Sequence, residues 1–149
     1  MNFSRSHRIL FTLFALAAVT AMSRIGAVAA APRDYADVSA SDWYYSSVGH
    51  CTEAGLMGGT GDTRFLPEMG ATRAMAVATL YRLEGQPGMG GGKSGTFIDV
   101  PESVWYTDAV EWAAAQEIVV GYGDGTFGPE DEISREQLAA MLYRYAGHR

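Results

Sequence analysis

The sequence has little cysteine and little basic charge, and each scarcity excludes a class of protein. Cys51 is the only cysteine, so no disulfide forms within the chain. From residue 30 onward, 8 basic residues face 17 acidic ones, a net charge of −9. Nucleic-acid binding requires a basic surface, which so acidic a chain lacks. Nucleic acid is therefore excluded as a partner.

Long apolar runs are also scarce, and the only extended one lies near the start. Arg5 and Arg8 precede the apolar stretch 9–22, and Ala27 and Ala29 stand where a signal peptidase reads small side chains. The pattern predicts a cleaved signal peptide over 1–29. A membrane anchor is the competing interpretation, but about 14 apolar residues fall short of the roughly 20 that span a bilayer as a helix. We expect a secreted protein with no membrane span after cleavage.

The remaining chain repeats itself. A shift of 62 residues aligns Tyr35–Gly85 with Phe97–Gly147 without a gap, and 18 of the 51 aligned positions are identical. A fixed period of this size is typical of tandem structural repeats. The identities include Asp37/Asp99, Trp43/Trp105, Phe65/Phe127, Arg73/Arg135 and Arg82/Arg144. The sequence predicts two repeats, 35–85 and 97–147, joined by a glycine-rich linker over 86–96.

Each repeat reads as a helix, a glycine-rich loop and a second helix. In the second copy, helical spacing of apolar residues begins near Thr107, a candidate N-cap, and runs to about Gln116. The run 118–120 fits a short strand or an extended segment equally well. In the loop 121–129, the glycines indicate backbone positions with positive φ, and we expect the Phe127 side chain to anchor the loop in the core.

Capping signals mark the second helix of each copy. Ser134 with Gln137 forms a capping-box pattern before an apolar stripe. In the first copy Thr72 can cap the helix, but Met75 stands where Gln137 stands in the second copy and cannot return a hydrogen bond. Gly49 further weakens the first copy, and we expect it to interrupt that copy's first helix.

These motifs in this order resemble the S-layer homology (SLH) family. The second copy carries an opening F-x-D-V at 97–100, the aromatic pair Trp105-Tyr106, the loop GYGDGTFGP at 121–129, and S-R-E-Q at 134–137 in place of T-R-A-E. The resemblance implies an all-α fold in which each repeat contributes one helix to a central bundle. It also implies non-covalent anchoring of an exported protein at the bacterial cell wall or S-layer.

The resemblance further implies a ligand, a secondary cell-wall polysaccharide that often carries pyruvate ketals. The family's motif arginine corresponds to Arg73 and Arg135. A guanidinium beside free amides at a helix start favours a carboxylate, and the more intact second motif makes Arg135 the preferred candidate. The expected polysaccharide-binding set is Arg135, Arg73, Trp105, Trp43, Gly121, Gly123 and Asp124.

Other interpretations of these residues stay open. The arginines fit exposed ion pairs with neighbouring glutamates, and the tryptophans fit core positions as well as sugar platforms. The acids 130–132 with Asp124 miss the alternating spacing of a calcium loop. No nucleophile with a base appears. We expect no metal, no cofactor and no enzymatic activity.

The number of repeats suggests a second function. The SLH family commonly uses three repeats, and this sequence contains two. The alternative function is therefore an assembly module that completes its bundle with another copy of itself, as a homo-oligomer, or with another exported SLH protein.

Overall fold

The computed structural model describes residues 35–60, 63–88 and 95–147. The predicted signal peptide, Gly61, Asp62 and linker residues 89–94 lie outside the described residues. Four helices occur in the described ranges: α1 (Tyr45–Glu53), α2 (Arg73–Leu83), α3 (Thr107–Ala115) and α4 (Arg135–Gly147). These ranges contain no strand, only one isolated β-bridge between Thr72 and Glu132. The predicted all-α class is confirmed.

An aspartate near the start of each repeat fixes the glycine-rich loop of the same repeat. The Asp99 carboxylate accepts hydrogen bonds from the amides of Phe127 and Gly128, each at 2.7 Å. Asp37 does the same for Phe65 and Leu66 at 2.9 and 2.8 Å. The two bonds tie the loop to the residues that precede the first helix, so the F-x-D-V motif is a structural latch.

The second helix of each copy starts as predicted. Gln137 N donates to Ser134 Oγ, and Ser134 N donates to Gln137 Oε1, which completes the capping box. In the first copy only the Thr72 hydroxyl caps, accepting from Met75 N.

Two predictions for the first helices are wrong. Thr107 is the first residue of α3 rather than its cap, because its hydroxyl already bonds Val104 N and Pro101 O. Gly49 does not interrupt α1, which is continuous through it. One glycine costs a helix only about 1 kcal/mol, and tertiary contacts such as those of buried Val48 outweigh that cost.

The main core spans the junction of the two repeats. Helix α2 of the first repeat packs on α3 of the second, and the rings of Tyr81 and Trp112 lie 5.6 Å apart across this contact. Phe127 is fully buried in the same cluster, which confirms it as the loop's anchor. The run 118–120 forms no strand: the amides of Ile118 and Val119 both donate to Ala113 O, and Ile118 is buried while Val120 is exposed.

The end of the linker is held by a buried acid of α3. The Glu111 carboxylate accepts from the amides of Gly95 and Thr96 at 2.9 and 3.1 Å, and from the Thr96 hydroxyl. The corresponding position in the first repeat is Gly49. No described helix is long and apolar enough to cross a membrane.

The Asp37 carboxylate, which holds the loop of the first repeat, makes the stability of the fold depend on pH. Hydrogen bonding from Phe65 N, the largest cause, holds the pKa of Asp37 below its ordinary value of 3.8. The ionised carboxylate therefore stabilises the fold above that value, and this contribution is lost as pH falls through the lowered pKa. We expect Asp37→Asn to lower stability at neutral pH and to flatten the loss of stability below about pH 4.

Urea denaturation at a series of pH values checks this prediction. Glu102→Gln is the control, because the exposed Glu102 carboxylate accepts no hydrogen bond from the described residues. Equal pH profiles for wild type and Asp37→Asn would contradict it.

Candidate functional site

The start of α2 docks on the loop of the second repeat. Arg73 N donates to Asp131 O at 2.9 Å, and Ala74 N donates to Pro129 O at 3.0 Å. Ile133 N returns a bond to Ala71 O. The first amides of α2 are therefore occupied by carbonyls, and the expectation that free amides at this helix start assist an anion is wrong for Arg73.

The Arg73 side chain fills the centre of this junction. It is only 4 % exposed. Its Nε donates to Phe127 O at 2.9 Å and its Nη2 to Val120 O at 3.3 Å. The guanidinium carbon also lies 4.6 and 4.9 Å from the ring centroids of Phe127 and Tyr122, within cation–π range. These contacts make Arg73 part of the core.

No described carboxylate forms an ion pair with Arg73, so the alternative of a solvated ion pair does not apply to it. A guanidinium carries five N–H donors, and two protein carbonyls engage two nitrogens. Burying a charge without a counter-charge is costly. The site therefore holds a positive charge that an anionic ligand would neutralise.

A pocket of about 230 Å³ opens on this guanidinium. Its walls come from Arg73, from the loop of the second repeat and from one side of α4. The lining residues are Arg73, Val120, Gly121, Tyr122, Gln137, Ala140, Met141 and Arg144. Two arginines and no acid line the pocket, although the chain as a whole is acidic.

Arg144 supplies the second positive charge. Its Nη1 lies 3.5 Å from Ile118 O, and its side chain is partly buried beside the pocket. Arg82 makes the equivalent bond in the first repeat, to Leu56 O at 3.2 Å. Arg144 is absent from the predicted binding set, and its identity with Arg82 in the repeat alignment is the sequence signal that could have identified it.

The loop residues predicted to bind divide into two groups. Gly121 lines the pocket, where a Cβ would meet Thr126 O and come within 2.7 Å of Phe97 Cε1. Its role is close packing, since the positive φ values fall at Gly123, Gly125 and Gly128.

Gly123 and Asp124 lie at the exposed tip of the loop, outside the pocket lining. Asp124 accepts from Thr126 N and Oγ1 at 2.9 and 2.6 Å. The bond from the Thr126 hydroxyl lowers the pKa of Asp124. This carboxylate therefore shapes the loop.

The two tryptophans lie on the surface rather than in the core. Trp43 is 91 % exposed and Trp105 is 56 % exposed, whereas the neighbouring Tyr106 is buried against Trp105 in an edge-to-face pair 5.1 Å apart. The core interpretation of these tryptophans is excluded, and their faces are open to a ligand.

Arg135 differs from its counterpart. It is exposed and does not line the pocket, and no described residue forms a hydrogen bond or ion pair with its guanidinium. Of the two motif arginines, Arg73 lies in the pocket and Arg135 does not. No three metal-ligating side chains cluster among the residues that the structure describes.

Comparison with known proteins agrees with this architecture. The S-layer homology domain matches residues 34–76 and 96–139, which is more than half of the chain. The protein belongs to the S-layer homology domain family, whose members are secreted, cell-surface-associated proteins.

Curated relatives include "Cell surface glycoprotein 1" of Acetivibrio thermocellus, 32 % identical over 56 % of this chain and 4 % of the relative. The same organism's "Cellulosome-anchoring protein" is 28 % identical over 74 % of this chain and 25 % of the relative. An "Endoglucanase" of Bacillus sp. strain KSM-635 is 28 % identical over 80 % of this chain and 14 % of the relative. The chain spans a quarter or less of each of these proteins.

The two motif arginines should differ in their effect on stability. Arg73→Lys removes a guanidinium that donates to two carbonyls and lies over two aromatic rings. We expect this substitution to lower the free energy of unfolding by about 2 kcal/mol. Arg135→Lys changes an exposed side chain and should cost less than about 0.5 kcal/mol. Urea denaturation measures both, and equal losses would contradict the central role assigned to Arg73.

Proposed function

We propose that this chain anchors an exported protein to the bacterial cell wall by binding an acidic secondary cell-wall polysaccharide at the junction of its two repeats. One observation carries the proposal. The buried guanidinium of Arg73 has no carboxylate partner among the described residues and lines a pocket that also contains Arg144. A carboxylate on the polysaccharide is the counter-charge that such a pocket favours.

The electrostatics favour an acidic sugar over a neutral one. The chain from residue 30 onward carries a net charge of −9, which repels polyanions from most of its surface. The pocket instead presents two guanidinium groups and no acid. A pyruvate ketal, which the family resemblance implies, would present one carboxylate to these guanidinium groups.

Aromatic side chains supply the apolar part of a sugar site. Tyr122 lines the pocket and is about half exposed. Its hydroxyl donates to Asp131 Oδ2 at 2.8 Å, which fixes the ring over Arg73. Flat aromatic faces pack well against the C–H faces of sugar rings, and exposed Trp105 adds a second such face in the same repeat.

The role proposed is non-enzymatic. The family to which the chain belongs and the anchoring protein among its relatives both favour attachment at the cell surface. The endoglucanase matches this chain over 14 % of its own length, consistent with a shared anchoring domain rather than a shared catalytic one.

A matched pair of variants tests the pocket. Arg144→Gln removes a pocket charge, whereas Arg82→Gln removes the equivalent arginine of the first repeat, outside that pocket. We expect Arg144→Gln to weaken binding to purified wall sacculi about tenfold or more, because a charge-assisted hydrogen bond contributes about 1.5–3 kcal/mol. Arg82→Gln should bind like the wild type in dilute protein. Co-sedimentation with the sacculi measures both.

Sacculi stripped of their secondary polymer by acid provide the second arm of this experiment. Binding should disappear from the stripped walls. Binding that persists there, or equal losses for the two glutamine variants, would overturn the proposed ligand or the proposed pocket respectively.

A further inference from the structure

The contact between the two repeats is head-to-tail. The first repeat contributes its helix-start surface, which is Arg73 and the α2 residues that follow it. The second contributes its loop surface, which is residues 118–131 together with α3. The chain therefore has a second helix-start surface, at Arg135 on α4, and a second loop surface, at residues 56–60 and 63–69 with α1. Neither takes part in the contact that joins the two repeats.

The exposed face of α4 corresponds to the buried face of α2. Leu80 is 6 % exposed in α2, whereas its equivalent Leu142 in α4 is 46 % exposed. Tyr81 packs on Trp112, while its equivalent Tyr143 is exposed. The α4 side chains that match the junction are thus present but exposed among the described residues.

The loop surface of the first repeat is open in the same way. Phe127 is fully buried beneath Arg73, whereas its equivalent Phe65 is partly exposed. Val119 is 3 % exposed, and its equivalent Met57 is 40 % exposed. The side that Arg73 and α2 cover in the second repeat is therefore uncovered in the first.

Unused hydrogen-bonding groups accompany these apolar faces. The amides of Arg135 and Glu136 donate to no carbonyl among the described residues. Their counterparts, Arg73 N and Ala74 N, donate to Asp131 O and Pro129 O. The equivalent acceptors in the first repeat are Met69 O and Pro67 O, which are likewise unused.

We infer that these two surfaces bind each other between two copies of this chain. Arg135 and Glu136 of one copy donate their amides to Met69 O and Pro67 O of the other, and the Arg135 guanidinium covers Phe65. The contact continues, between chains, the interface already formed within the chain. Each copy carries one helix-start surface and one loop surface, so the contact is head-to-tail and forms a closed ring only where its rotation closes.

The second copy would also complete a second anion pocket. Shifted by 62 residues, the pocket lining becomes Gly58, Gly59, Thr60, Met75, Ala78, Thr79 and Arg82. Arg73 is replaced there by Arg135 of the other copy. This consequence rests on the proposed function, whereas the association itself does not.

One residue difference between the two repeats opposes the contact between copies and limits its strength. Glu136 stands where Ala74 is fully buried in the internal junction, and burying a carboxylate is costly. The association should therefore be weak and depend on protein concentration. Glu136→Ala restores the residue of the internal junction and should strengthen it.

Sedimentation velocity of the chain from residue 30 onward, without polysaccharide, tests the inference. The wild type should form a dimer, or a higher multiple, as its concentration rises. Arg135→Ala should weaken the association about tenfold, and Glu136→Ala should tighten it by a similar factor. The control Glu102→Ala removes an exposed carboxylate from the second repeat, outside both open surfaces, and should leave the association unchanged.

A chain that stays monomeric at all concentrations, including the Glu136→Ala variant, would overturn the inference. So would an association that neither Arg135→Ala nor Glu136→Ala alters. Far-ultraviolet circular dichroism of each variant verifies that it is folded. Wall binding of the dilute monomer through Arg73 and Arg144 is measured separately, so failure of the association and failure of polysaccharide binding give different results.

Discussion

The architecture depends on one buried guanidinium. The Arg73 side chain, at the start of α2, donates to carbonyls of the second repeat, and its guanidinium carbon lies over the rings of Phe127 and Tyr122. Without that side chain the loop would lose its cover and the two repeats their central contact. The same charge has no carboxylate partner among the described residues, so the group that joins the repeats is also the group that favours an anion.

This double role explains why the pocket lies between the repeats rather than within either one. One repeat supplies the charge, and the other supplies the loop and the second arginine. Asp99 holds that loop through the amides of Phe127 and Gly128. A single repeat has each half of the pocket but cannot bring both halves to the same place.

Much of the fold could be predicted from local sequence signals. Capping boxes, apolar spacing and a buried loop aromatic act over a few residues, so Ser134, Gln137 and Phe127 were assigned correctly. Thr107 was assigned wrongly because its hydroxyl bonds residues that precede the helix, and this competition is invisible in a capping pattern. Gly49 was misjudged because helix propensity is a weak effect beside tertiary packing.

The candidate site was harder to predict, since it depends on which repeat packs on which. Arg73 and Arg135 occupy the same position in the repeat, and sequence alone favoured Arg135 because its motif is more intact. The structure separates them: Arg73 is buried against the second repeat, whereas Arg135 is exposed among the described residues. Tyr122 belongs to the site because Arg73 of the first repeat packs over its ring. Its counterpart in the first repeat is Thr60, which has no ring.

The most direct test of the account is a titration of the isotope-labelled protein with purified wall polysaccharide, followed by the side-chain Nε–H resonance of each arginine. The account predicts that, in dilute protein, the Arg73 and Arg144 resonances and the Gly121 amide shift in a saturable way while the Arg135 resonance stays in place. Shifts at Arg135 and at the loop tip of Gly123 and Asp124, with Arg73 unchanged, would contradict it.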